Sequence, residues 1–240
     1  MKEDTLNNLI TILKMLIGKI YHTSYEDILT SGSLPDENIQ KILVEAGIVQ
    51  FVIEMIFLIY EPFKVYEKGK REGESDACFR IRTRLADIFE YSYRLLEKTA
   101  SYNEKNRTYI SRWVDLFLEH SNNINRPYIQ ECLVGILQNN PNSIEATINR
   151  EKIKEQIKSF FNEAKHQAPD AFLTTKYLKL FETFIICDDR IIRKNQNIIL
   201  NEFFKNTENH YSFKFKIEQK PETEDSEGRG DDFRNKIRSK

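Results

Sequence analysis

The sequence predicts an all-α fold in which amphipathic helices stack against one another as a solenoid. Its 240 residues include only 8 glycines and 6 prolines, so few positions interrupt a helix. Apolar residues recur at spacings of three and four through most of the chain, which is the period of one helix face. Because a helix with one apolar face cannot bury it alone, such helices are stable only when neighbours cover them.

The composition excludes several classes of protein. The 36 basic and 37 acidic side chains leave a net charge of −1, so no global field attracts nucleic acid or anionic lipid. The cysteines, Cys78, Cys132 and Cys187, form no C-x-x-C pair and are expected to be reduced thiols. The most apolar stretch, 48–60, is shorter than the roughly 20 residues that span a bilayer. We therefore expect a cytoplasmic protein that does not insert directly into a membrane.

The pattern of the first 59 residues predicts one helix, followed by a pair of helices joined by a glycine. The apolar stripe of the first helix consists of Leu6, Leu9, Ile10, Leu13, Leu16, Ile17 and Ile20. Ser33, Pro35 and Asp36 mark the next helix start, since a hydroxyl, a fixed φ and an acid all favour a helix N-terminus. That helix reaches Gly47, and a more apolar helix follows over 48–59. A short helix, a glycine turn and an apolar helix are typical of an armadillo unit, so the predicted solenoid is armadillo-like.

Two segments are predicted to lack regular structure. Proline, glycine and charge dominate residues 61–76, and this composition buries too little apolar surface to order itself, which predicts a mobile loop. For the same reason residues 218–240 are predicted to be a disordered charged tail, which assigns the helical domain to residues 1–217. Near the end of that domain, the alternating pattern of 210–217 is compatible with a short strand.

Helical periodicity resumes after the predicted loop. The stripes comprise Leu85, Ile88, Phe89, Leu95 and Leu96; Ile110, Trp113, Val114, Phe117 and Leu118; Ile129, Cys132, Leu133, Ile136 and Leu137; Ile153, Ile157, Phe160 and Phe161; Leu178, Phe181, Phe184 and Ile185; and Ile198, Ile199 and Phe203. Trp113 is the only tryptophan, and its place in the second stripe predicts that it is mostly buried.

Two of the predicted helix junctions have a similar sequence pattern. The apolar pair 95–96 ends ten residues before Asn106, and the apolar pair 184–185 ends ten residues before Asn195. An asparagine side chain can satisfy backbone groups that are left free where one helix ends and the next begins. We therefore interpret Asn106 and Asn195 as helix-junction residues, with ligand binding as the less favoured alternative.

Five short motifs follow one another in order between residues 36 and 215. They are YSYRLL (91–96), NEKNRTYIS (103–111), ILQNN (136–140), KYLKLF (176–181) and RKNQNIILNE (193–202). In this order and spacing they resemble the RIH domain, the homology domain that inositol trisphosphate receptors and ryanodine receptors share.

The resemblance implies a function within a calcium-release channel. Family members are large tetrameric channels of intracellular calcium stores, and their RIH domains are cytosolic armadillo-like modules. This chain would then contact neighbouring domains or subunits and relay conformational change between them. One family copy binds inositol trisphosphate with an Arg-Lys pair directly before the asparagine that corresponds to Asn106. Here the pair is Glu104 and Lys105, so the resemblance implies a structural copy that does not bind inositol trisphosphate.

Enzymatic and metal chemistry have no support in the sequence. The four histidines lie far apart and form neither H-x-x-x-H nor H-E-x-x-H. Phosphate-binding glycine loops and nucleophile elbows are also missing, and Cys187 follows an apolar run in which an inert thiol is expected. We therefore expect no enzyme, no cofactor and no metal site.

A basic run offers the remaining candidate site. Arg80, Arg82 and Arg84 lie near a predicted helix start, and Lys105 is a further candidate cation for a phosphate or an acidic partner. A solvated helix face is the simpler interpretation of the same run. Three functions therefore stay open: a channel module, a free-standing armadillo scaffold that captures a peptide or an acidic or phosphate-bearing protein partner, and a phosphoinositide or nucleotide-phosphate binder that uses the three arginines.

Overall fold

A computed structural model describes residues 3–28, 34–63, 73–124, 126–166 and 171–207, with the side chains at 61–63, 163–166, 171–175 and 206–207 left out. The contacts reported below lie within one compact unit, Met1–Lys205. The second unit, Asn206–Lys240, contributes only the last two residues of the final helix to the described part.

Helices make up nearly all of the described chain, which confirms the all-α prediction. Their bounds are α1 (Glu3–Ile20), α2 (Tyr25–Ile28), α3 (Glu37–Glu45), α4 (Ile48–Phe63), α5 (Asp76–Ala100), α6 (Glu104–Ile110), a 3₁₀ turn (Ser111–Trp113), α7 (Val114–Asn123), α8 (Pro127–Leu137), α9 (Pro141–Thr147), α10 (Arg150–His166), α11 (Ala171–Ile185) and α12 (Arg193–Thr207). Strands β1 (Ile186–Cys187) and β2 (Arg190–Ile191) form a small antiparallel hairpin between α11 and α12. The stacking of these helices as a solenoid stays a prediction.

Helix α5 is the longest element, and it packs against α1, α4 and α8. Its last three turns are buried because Ile88, Phe89, Tyr93 and Leu96 are all inaccessible to solvent. Its first turns are largely exposed, and Ser75 caps them by accepting a hydrogen bond from the backbone amide of residue 78 at 3.2 Å. The helix therefore joins a solvent-facing end to a core-facing end.

The predicted loop, strand and tail lie largely outside the described residues. Helix α4 continues to Phe63 and α5 begins at Asp76, so both ends of the predicted 61–76 loop are helical. Its middle, 64–72, lies outside the described residues. The predicted strand over 210–217 and the predicted tail over 218–240 also lie outside them.

The helix pair around Gly47 forms as the sequence predicts. Asp36 caps α3 because its carboxylate accepts hydrogen bonds from the backbone amides of Asn38 at 2.8 Å and Ile39 at 3.3 Å. Gly47 then adopts a φ of +74° between α3 and α4, a conformation that glycine reaches without steric cost.

Trp113 is partly buried, less completely than Ile110 and Val114 on either side, which are fully buried. It lies in the 3₁₀ turn between α6 and α7, whose tighter winding departs from the period of the apolar stripe. The indole packs edge-on against Tyr109, with ring centroids 5.4 Å apart.

No single helix in the described part is long and apolar enough to span a membrane. The bent pair Glu37–Glu45 and Ile48–Tyr60 reaches the required length and hydropathy only when its two arms, inclined at 65°, are taken together.

Candidate interaction surfaces

Two arginines of the predicted cationic patch are held by carboxylates. Arg82 donates through Nε and Nη2 to the two oxygens of Glu74, at 2.9 and 2.8 Å, and the side chains are only 13% and 11% exposed. Arg80 donates through Nε to Oε2 of Glu3 at 3.3 Å. The bidentate geometry of the first pair makes it the stronger contact. Both charges are therefore compensated within the chain.

Arg84 and Lys105 complete the predicted set. Arg84 donates to Asp87, one turn further along α5, at 3.2 Å. Lys105 lies exposed on α6, beyond the other end of α5. The helix from Arg84 to Ala100 rises about 24 Å. The structure therefore does not bring Lys105 together with the arginines, and the arginines do not form an uncompensated positive patch.

Asn106 and Asn195 occupy corresponding places at two helix junctions. Both side chains are buried, and each donates through Nδ2 to a carbonyl near the end of the preceding helix. The acceptor is Thr99 at 3.1 Å for Asn106 and Phe184 at 2.9 Å for Asn195. Asn140 makes a longer contact of the same kind, 3.4 Å, with a carbonyl four residues earlier. These contacts satisfy carbonyls that have no partner within their own helix.

A glutamine from α3 closes the junction between α5 and α6. Gln40 is 1% exposed, and its Nε2 donates to the carbonyls of Lys98 at 2.9 Å and Ser101 at 2.8 Å. Its Oε1 accepts from Nδ2 of Asn103 at 3.2 Å, and Oδ1 of Asn103 accepts from the backbone amide of Asn106 at 3.1 Å. Sequence reasoning missed Gln40, because no local pattern pairs a residue with carbonyls about 60 positions away.

A groove of about 730 Å³ opens beside this junction, where α8 packs between α5 and α11. We call it the α5–α8–α11 groove. The residues that matter for its chemistry are Glu97, Lys98, Arg107, Gln130, Glu131, Gly135, Lys176 and Lys179. The sequence did not indicate it, because these residues are spread over more than 80 positions and meet only in the fold.

Most charged groups in the groove are paired, yet basic side chains are in excess. Lys98 donates to Glu97 at 3.0 Å, and Lys176 bonds to Glu131. Lys179 points along its own helix and pairs with a carboxylate outside the groove lining, 2.7 Å away.

Two residues that line the groove each carry a buried polar atom with no hydrogen-bond partner among the described residues. Arg107 donates through Nη1 to the carbonyl of Gln138 at 2.5 Å, but its buried Nε has no acceptor. The buried Oε1 of Gln130 has no donor. Burying such atoms without partners costs free energy, so they favour a bound polar group or water at this place.

Glu97 of α5 lies next to Gly135 of α8 in the groove. Burial raises the pKa of its carboxyl group, and the charge of Lys98 partly opposes the shift. A Cβ atom at Gly135 would lie 3.2 Å from Cγ of Glu97. The glycine therefore leaves room for the Glu97 side chain between the two helices, and a larger residue there would displace it.

No cluster of three or more His, Cys, Asp or Glu side chains in the described part could hold a metal ion. His120 lies in the core instead, stacked on Tyr60 at 3.7 Å, with Nδ1 2.6 Å from the hydroxyl of Tyr93. Burial raises the pKa of the Cys132 thiol, and also that of Cys187. Both environments favour the protonated, unreactive form of the thiol.

The family model described as the RIH domain matches residues 5–209, which include all of the groove residues and the three junction asparagines. The match begins within α1, earlier than the motifs that suggested the resemblance. No curated protein matches the chain.

Proposed function

We infer that this chain, which belongs to the RIH domain family, is a non-enzymatic coupling module of a calcium-release channel of the inositol trisphosphate receptor or ryanodine receptor type. It acts on the cytosolic face of an intracellular calcium store. Its partners are neighbouring domains or subunits of the tetrameric channel, and it relays conformational change between them through domain contacts.

The α5–α8–α11 groove is the observation that supports this proposal. Its charged side chains belong to helices that are distant in sequence but meet at α8. A neighbouring domain bound in the groove contacts all three helices at once, so it stabilises one relative arrangement of them over another. Binding in the groove and movement of the helices are then coupled, because the partner binds one arrangement of the helices with a more favourable free energy than another. Such coupling is the physical requirement for a relay.

The test uses two matched charge reversals in the gene that encodes the chain. Lys179→Glu lies at the groove, and Lys41→Glu lies on α3 away from it. Both lysines are exposed and pair with a glutamate on their own helix, so each variant changes the net charge equally and leaves the core intact. Calcium release from the stores is measured with a luminal indicator.

We expect Lys179→Glu to shift the stimulus that gives half-maximal calcium release, and Lys41→Glu to behave as wild type. A reversed charge at a docking surface costs about 1 kcal/mol or more, which corresponds to a shift of about fivefold or more. If the two variants give the same release curve, the coupling function through this groove is wrong.

A free-standing scaffold that binds an acidic or phosphate-bearing partner is the second candidate. The excess of basic side chains in the groove and the unsatisfied Nε of Arg107 favour it. Its test is fluorescence anisotropy of the purified chain with a labelled glutamate-rich peptide and a lysine-rich peptide of equal length. Salt-sensitive binding of the acidic peptide alone, weakened by Lys179→Glu, supports this candidate, and equal binding of both peptides contradicts it. The paired arginines Arg80, Arg82 and Arg84 do not favour a phosphoinositide binder.

A further inference from the structure

Helix α4 carries apolar side chains on opposite sides. Val52 and Ile56 are buried against the rest of the fold, whereas Phe57 and Leu58 are 61% and 75% exposed. A helix that is apolar on all sides is normally buried on all sides. The outer side of α4 therefore has the composition of an interface rather than of a solvated surface.

This outer side forms one wall of a concavity of about 360 Å³. The opposite wall consists of the half-buried Trp113 and Leu116, at the 3₁₀ turn and the start of α7. We call the concavity the α4–α7 apolar surface; it is lined by Ile53, Glu54, Phe57, Leu58, Trp113 and Leu116, with Gln50 at its edge. The 3₁₀ turn that carries Trp113 thus contributes to the second wall.

The ionisable side chain in the described lining of this surface is acidic. It belongs to Glu54, which accepts a hydrogen bond from Gln50 at 2.9 Å. The neighbouring carboxylates on α7 are engaged elsewhere, because Asp115 pairs with Lys152 at 2.5 Å and Glu119 accepts from the hydroxyl of Tyr60 at 3.3 Å. A partner that covers the apolar walls therefore meets the carboxylate of Glu54, so a basic group beside its apolar face would complement it.

We propose that the α4–α7 apolar surface docks an amphipathic helix of a partner protein, with apolar side chains between Leu58 and Trp113 and a lysine or arginine against Glu54. An apolar concavity bordered by two helix segments is the geometry that a helix-in-groove contact uses. This inference goes beyond the proposed function, because it concerns a different surface from the α5–α8–α11 groove and does not depend on what binds there.

The single tryptophan makes the proposal testable on the full chain. The probes are two synthetic amphipathic peptides that lack tryptophan and tyrosine and share a leucine-rich face, one with lysines beside that face and one with glutamates. We expect the lysine peptide to shift the emission of Trp113 to shorter wavelength in a saturable titration, because it removes the indole from water. The glutamate peptide should bind about tenfold more weakly or not at all.

Three variants distinguish docking at this surface from nonspecific hydrophobic binding. Leu58→Glu should weaken binding of the lysine peptide by about tenfold or more, whereas Leu200→Glu, at a leucine of α12 that is 45% exposed, should leave it unchanged. Glu54→Lys should reverse the preference and favour the glutamate peptide. If Glu54→Lys leaves the order of the two peptides unchanged, or if neither peptide shifts the emission, the proposal is wrong.

Two other occupants give distinct results. A second copy of the chain would appear in sedimentation equilibrium as a dimer that Leu58→Glu dissociates. A lipid surface would appear as the same emission shift with phosphatidylcholine vesicles. Either result without peptide binding overturns the proposal, and a monomer that ignores the vesicles but binds the lysine peptide supports it.

Discussion

The two ends of α5 differ in the polar contacts that they make. Near the N-terminal end, arginines are held by carboxylates, as in the contacts of the exposed Arg80 with Glu3 and of the nearly buried Arg82 with Glu74. At the C-terminal end, buried polar side chains bind backbone carbonyls of α5, as Gln40 of α3 does. The arginines at the N-terminal end are paired with carboxylates of the same chain. The C-terminal end, where uncharged amide side chains bind the backbone, adjoins the groove. A run of charged residues in the sequence is therefore a weaker guide to a binding site than the arrangement of side chains and backbone groups in the fold.

The largest effect that tests this contrast compares phenylalanines in the two halves of α5. Phe89 is fully buried, with its ring 5.2 Å from that of Tyr93, whereas Phe79 is half-buried with Arg82 over its face at 5.5 Å. Phe89→Ala should lower the free energy of unfolding by about 3 to 5 kcal/mol, and Phe79→Ala by about 1 kcal/mol. Urea denaturation of both variants measures the difference. Equal losses would show that the solvent-facing end is as well packed as the core-facing end.

A smaller effect should follow from removing the amide that closes the α5 to α6 junction. Gln40→Ala leaves the buried carbonyls of Lys98 and Ser101 without this donor, and should cost about 1 to 3 kcal/mol of unfolding free energy. Gln138→Ala is the matched control, because that side chain is exposed at the end of α8 and should change stability by less than about 0.5 kcal/mol. Denaturation midpoints that coincide for the two variants would contradict the capping role of Gln40.

The ion pairs at the other end of α5 should rank by their exposure. The Arg82 to Glu74 pair is bidentate and nearly buried, so Arg82→Ala should cost about 1.5 to 3 kcal/mol. The Arg80 to Glu3 pair is 55% and 38% exposed, so Arg80→Ala should cost less than about 1 kcal/mol, and this cost should shrink further in high salt. Thermal melts at two salt concentrations check the order. A larger loss for Arg80→Ala would mean that exposure does not decide the strength of these pairs.

The features that the sequence predicted are those that repeat locally. The stripe of α1 places Leu6, Leu13 and Ile17 in the core, as periodicity indicates. The similar pattern around Asn106 and Asn195 also corresponds to a shared geometry, because a junction is formed within a few residues of its asparagine.

The missed features depend on residues that are distant along the chain. Arg80 meets Glu3 from 77 positions away, so its compensation leaves no local signal. The groove unites Glu97 with Lys179 in the same way. The 3₁₀ turn at Ser111–Trp113 was not predicted for a different reason: it changes the helical period over only three residues, and a pattern at 3.6 residues per turn does not show it.

The smallest expected effect is the absence of inositol trisphosphate binding at the α5 to α6 junction. The resembling motif there carries Glu104 before Lys105, and both side chains lie exposed on α6. A carboxylate about 4 Å from a phosphate costs about 1 kcal/mol even in water, and it replaces a bidentate donor. Arg84 cannot compensate, because it pairs with Asp87 and lies about 24 Å of helix rise from the end of α5.

Titration calorimetry on the whole chain should therefore show no measurable heat of inositol trisphosphate binding. Glu104→Arg should bring at most weak binding that disappears in high salt, since it restores one donor and leaves the rest of the site unchanged. Glu145→Arg, an equal charge change at an exposed position on α9, should bring none and serves as the control. Micromolar or tighter binding by the unmodified chain would contradict the interpretation of this domain as a structural copy. In that case Gln40 and Asn103, at the α5 to α6 junction, would position a ligand as well as the backbone.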